Sequence, residues 1–76
     1  MELRAIAVLN DEVTAHRVEI ALQENGVPAM VRSLGGLSGI LPPTRWEVMV
    51  REQDMLRASH IIRQLGLDGP GLLEGR

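Results

Sequence analysis

The apolar positions of the chain fall into two strand-helix units with one further strand between them. Leu3–Leu9 is a short apolar run, and Asn10 and Asp11 behind it predict a strand running into a helix N-cap. The helix spans roughly 11–25. Ala15, Val18 and Leu22 recur at i, i+3 and i+7 with Ala21 beside them, while Glu12, His16, Glu19 and Gln23 take the opposite side. Gly26 stands where a left-handed residue must end the helix, and Val27 follows where a Schellman motif makes its apolar contact back to Leu22. Residues 27–33 then alternate Val27, Ala29, Val31 against Pro28, Met30, Arg32. This is a strand that Pro28, which has no N–H to donate, confines to a sheet edge.

Residues 34–43 hold three glycines, a serine and two prolines and read as a loop. Trp46, Val48 and Val50 against Glu47, Met49 and Arg51 predict the most regular strand. A second helix follows over about 53–65, with Asp54 as its cap and Met55, Ala58, Ile62 and Leu65 inward; Gly66-Leu67 repeats the earlier stop. A shift of forty residues lays Ala15 on Met55, Val18 on Ala58 and Leu22 on Ile62. A duplicated β-α unit is what an α+β, ferredoxin-like βαββα plan requires: the third strand antiparallel between the first two, and both helices on one face. Residues 1–67 are expected to form this single domain, with 68–76 a Gly/Pro-containing tail. Only Leu72 and Leu73 there suit pairing, so a fourth strand should be short or absent.

Strict alternation puts Ile6, Val8, Ala29, Val31, Val48 and Val50 toward the helices. The other face then carries Ala5, Ala7, Met30, Arg32, Glu47, Met49 and Arg51, which is only half polar. Ala5, Ala7, Met30 and Met49 are the expected interaction face, because methionine adapts to irregular partners. An exposed face that merely tolerates Ala and Met is the other reading. Val13 and Ile20 also lie off the core stripe of the first helix. An unpaired first strand would be a template for another chain, so a homo-oligomer is expected.

Composition narrows the function. Seventy-six residues make one small domain. The net charge is −2, and the basic residues, all Arg, are scattered rather than striped. Trp46 is the one aromatic, so neither a phosphate-binding stripe nor stacking platforms for bases are present, and no nucleic acid partner is expected. Without cysteine there are no disulfides, thiolate metal sites or cysteine nucleophiles. His16 and His60 lack a ligand spacing, so no metal and no cofactor is expected. Glu52 and Asp54 open a helix, where capping explains them, and no nucleophile-base set is visible. The early apolar run is too short for a membrane span or a secretory signal, so a cytoplasmic location with no membrane contact is expected.

The least ordinary segment is the loop Leu34–Pro43. In Gly35–Gly39 the adjacent glycines, Gly35 and Gly36, allow N–H groups to converge on an anion, Ser38 adds a hydroxyl, and Arg32 and Arg45 bracket the loop with positive charge. These six residues are the expected site for a phosphate- or carboxylate-bearing metabolite. The competing reading is a hairpin connection with Leu37, Ile40 and Leu41 folded over a sheet end. The loop lacks the Gly-Lys-Ser/Thr end of a Walker motif.

Asn10–Leu22 with Gly26-Val27-Pro28, then Gly35-Gly36-Leu37-Ser38-Gly39 with Leu41-Pro42, then Glu47–Val50 before a helix, resembles a small bacterial family described as putative prokaryotic signal-transducing protein, a domain of unknown function. The resemblance runs to about Leu65. It implies a ferredoxin-like domain akin to the PII nitrogen-regulator superfamily, and a regulatory rather than catalytic role with no catalytic residues. The chain departs from PII proteins in its short tail and ten-residue Gly-Pro loop. The expected function is a non-catalytic regulatory domain that self-associates and takes an anionic small molecule at the loop; the alternative is a protein-interaction scaffold without a ligand.

Overall fold

The computed structural model describes residues 2–37 and 39–66. The expectations for Ser38 and for the 68–76 tail with Leu72 and Leu73 lie outside the described residues. Strand β1 (Leu3–Leu9) leads to helix α1 (Glu12–Glu24), then to β2 (Ala29–Leu34) and β3 (Arg45–Arg51). A short 3-10 turn, Glu52–Asp54, enters helix α2 (Met55–Gln64). The fold is α+β and ferredoxin-like, βαββα, with sheet order β1-β3-β2 and both pairings antiparallel. Among the described residues no helix is long and apolar enough to cross a membrane.

Local chemistry fixes the ends of α1. The Asp11 side chain accepts from the Thr14 N–H at 2.8 Å and from the Thr14 hydroxyl, satisfying an amide that the first turn leaves without a helical partner. These bonds favour the ionised form and hold the Asp11 carboxyl below its ordinary value. At the other end Gly26 takes φ +81°, the Val27 N–H donates to Leu22 O at 2.9 Å and the Gly26 N–H to Gln23 O at 3.0 Å. That is the Schellman pair read from the sequence. It turns the chain so sharply that Val27 is fully buried and β2 starts two residues later than alternation suggests, at Ala29.

The core lies on one side of the sheet. Val48 and Val50 of the central strand are fully buried beneath Ala15, Val18 and Leu22 of α1 and Ala58, Ile61 and Ile62 of α2. Leu9, Ala29, Val31, Trp46 and Met55 close its rim. The inward residues of α2 differ from expectation: Ile61 is buried and Leu65, the C-cap, is largely exposed. Residue 65 continues the 58-61-62 stripe, and its exposure follows from its place as the C-cap at the very end of the helix. Asp54 does not cap α2 with its side chain; it pairs with Arg51 at 2.7 Å, and Glu52 pairs with Arg4 at 3.0 Å. The two carboxylates therefore tie the helix entrance to the sheet.

A second correction concerns β1. Ala5 pairs with Met49 but Ala7 with Val48, so three residues of β1 oppose two of β3 and Ile6 is the extra one. Such a bulge reverses the alternation beyond it. Ala7 shares the face of Val48 and is fully buried beneath the helices, so it does not belong to the open face. Val8, opposite Glu47, takes its place there.

Candidate functional site

With the register settled, the open face can be built row by row. Ala5, Met49 and Met30 form one cross-strand row, Val8, Glu47 and Arg32 the next, and Leu3 lies opposite Arg51. Arg32 donates through Nε at 3.1 Å and through Nη2 to Glu47 Oε1, so the charge at the middle of this face is paired. Beside it, Leu3, Pro28, Ala29, Met30, Met49 and Arg51 line an apolar hollow of about 140 Å³, and Met30 is half exposed. Three of the four residues expected at an interaction face, Ala5, Met30 and Met49, are thus neighbours. Leu3 and Val8 join them, and only the bulge reveals Val8.

The Gly-rich loop is a tight, internally bonded turn. The Leu37 N–H donates to Leu41 O at 3.0 Å, the Ile40 and Leu41 N–H groups both return to Leu37 O at 2.8 Å, and the Thr44 N–H reaches Leu34 O at 3.0 Å. Gly36 has φ +75°, and a Cβ there would collide with the carbonyl oxygens of Leu41 and Pro42, so close backbone approach demands glycine. The N–H groups of Gly35 and Gly36 make no hydrogen bond among the described residues. Next to them a hollow of about 510 Å³ opens between Ser33, Gly35, Gly39, Ile40, Leu41, Pro42 and Pro43. Of the two bracketing arginines, Arg32 is turned to Glu47 on the open face. Arg45 is exposed and has no ion-pair partner among the described residues. Leu37, Ile40 and Leu41 project into solvent instead of covering the sheet end.

His16 is the other titratable group with a defined setting. Its Nδ1 lies 3.0 Å from a Glu19 carboxylate oxygen and its Nε2 3.7 Å from one of Glu12. Both carboxylates favour the imidazolium, chiefly through the Glu19 hydrogen bond, and the pKa rises from its ordinary 6.5. No group of three or more potential metal ligands occurs among the described residues.

A family model described as putative prokaryotic signal transducing protein matches residues 3–66, and the chain belongs to that family. The description names signal transduction and no catalysed reaction. No curated protein and no solved structure matches the chain.

Two measurements check this geometry. Gly36→Ala should lower stability by about 2 kcal/mol or more, through positive-φ strain plus the carbonyl collision, whereas Gly39→Ala, also at positive φ but with open space around its Cβ site, should lose only about 1 kcal/mol. Equal losses in urea denaturation would show that the loop is not held as described. In an NMR pH titration His16 should titrate above 6.5, and Glu19→Gln should bring it back toward that value. Because the folded-state pKa is the higher one, the stabilising contribution is complete below the ordinary value and is lost as pH rises through the folded-state pKa.

Proposed function

We propose that this chain is a non-catalytic signal-transducing domain that works by docking, with a second copy of itself as the partner of its open sheet face. The observation that carries the reading is the uncovered side of the sheet, where Leu3, Ala5, Val8, Met30 and Met49 lie contiguously around one paired Arg32–Glu47 ion pair. A sheet face meant for water alternates more cleanly than this. Both charges at its centre are already neutralised, so covering them with a second copy leaves no lone buried charge. A family description of signal transduction fits a domain whose output is contact rather than turnover.

A specific observation also favours a ligand at the loop. The uncommitted Gly35 and Gly36 N–H groups open beside the 510 Å³ hollow, and Arg45 begins the strand that follows the loop. Phosphate or a carboxylate metabolite is the chemistry those donors suit, and Arg45, rather than Arg32, is the cation left to hold it. The scaffold alternative keeps the docking face and dispenses with this ligand.

Light scattering at high micromolar concentration should give a mass above that of the monomer, and Met49→Glu should lower it while leaving the circular dichroism spectrum unchanged. A wild-type chain whose mass Met49→Glu does not alter removes self-association through this face. For the loop, a panel of inorganic phosphate, nucleotides and dicarboxylates should include one compound that raises the thermal midpoint of wild type but not of Arg45→Ala. No shift with any of them leaves the scaffold reading.

A further inference from the structure

The outer side of the helix layer carries a feature that neither the docking face nor the loop uses. On α1, Val13 and Ile20 stand two turns apart on the side opposite Ala15, Val18 and Leu22, and they are 65% and 51% exposed. On α2, Leu56, Ser59, His60 and Arg63 form an i, i+3, i+4, i+7 stripe, and Leu56 is 88% exposed. With Met55 these four line a hollow of about 290 Å³, enough for a branched aliphatic side chain.

The charges of the two helices are opposite. Helix α1 has Glu12, Glu19 and Glu24 against Arg17, a formal −3 + 1 = −2; α2 has Arg57 and Arg63 with no acid, a formal +2. Knob and hollow, negative and positive, thus lie side by side on one molecule. An isologous dimer places each half against its complement on the other copy.

We infer that the helix layer is a second self-association surface, on which α1 of one copy lies across α2 of the other and Ile20 enters the hollow at Leu56, Ser59, His60 and Arg63. Charge selects the two-fold axis. An axis that sets α1 on α1 and α2 on α2 brings like charges together, whereas an axis running along the helices pairs −2 with +2 twice. The helices of one chain are antiparallel: Arg57, near the start of α2, donates to Asn25 O at the end of α1 at 2.8 Å. The favoured axis keeps each helix at its own height and turns α1 over α2 of the other copy, so the crossing pair is antiparallel as well. Ile20, little more than a turn before Asn25, then comes over the first turns of α2, where the hollow lies.

The contact is small. Helix α1, thirteen residues long, spans about 20 Å, and two helices about 10 Å apart present roughly 400 Å² per copy, below a standard interface. The dimer is therefore a weak one, micromolar or looser, and it loosens further with salt.

Sedimentation equilibrium in the Met49→Glu background tests this surface with the open sheet face out of play. Met49→Glu should still dimerise as its concentration rises, and adding Ile20→Glu or Leu56→Arg should each weaken that dimer roughly ten-fold. Mixing the two variants should restore association, because the mixed dimer keeps one Ile20–Leu56 contact and gains one Glu–Arg contact in the other. A Met49→Glu chain that stays monomeric throughout overturns the helix-layer surface while agreeing with the sheet-face reading. Loss of association with Ile20→Glu but not Leu56→Arg, or no recovery on mixing, overturns the α1-on-α2 arrangement. An unchanged mass between wild type and Met49→Glu, with the mixing result intact, counts against the sheet face alone.

Discussion

Two helices can cover only one side of a three-stranded sheet, and most of the structure follows from that constraint. Val48 and Val50 sit on the central strand, paired on both edges and roofed by α1 and α2, so the molecule's apolar burial is concentrated on one side of β3. Burial of this kind stabilises by about 25 cal/mol per Å² of apolar surface. A core made of valine, isoleucine, leucine and alanine has little area to spare, which makes exact seating of each residue matter. The bulge at Ile6 is one result. It puts both Ile6 and Ala7 into the core, where strict pleating would admit only one of two consecutive residues.

The same constraint explains where polar chemistry collects. Arg32–Glu47 lies on the open face, Arg4–Glu52 and Arg51–Asp54 at the entrance to α2, and His16 with Glu12 and Glu19 on the exposed side of α1, where water shares their solvation. Among the described residues no buried side-chain polar atom lacks a partner. The loop between β2 and β3 is similarly economical. Four of its N–H groups close its own turns, and its aliphatic side chains are left outside. Left outside these internal contacts, among the described residues, are the methionine rows of the sheet, the Gly35–Gly36 amides and the outer stripes of the helices. The family's description names signal transduction.

Much of this could be read from the chain itself. Strands, helices and their order came from period-two and period-3.6 patterns, and the stop after α1 from Gly26-Val27, because these signals are local: each depends on residues within one turn or pleat. The cap at Asp11 is local too. The sheet order followed from the repeated unit and from Pro28, and the family from the Gly-Leu-Pro spacing. The open-face methionines were legible because β2 and β3 pair without interruption.

Tertiary structure decided what depends on distant partners. No alternation within Leu3–Leu9 reveals which residue is the extra one; only pairing with β3 makes Ile6 bulge, buries Ala7 and turns Val8 outward. Asp54 has the right place for a cap, yet Arg51 holds its carboxylate, and Arg32 was drawn from the loop by Glu47 fifteen residues away. A carboxylate or guanidinium goes to the strongest charge within reach, and reach is set by the folded chain. The sequence therefore determined the elements and both ends of α1, while packing against β3 determined which side chains of the sheet face solvent, because a strand's register is a property of two strands and never of one.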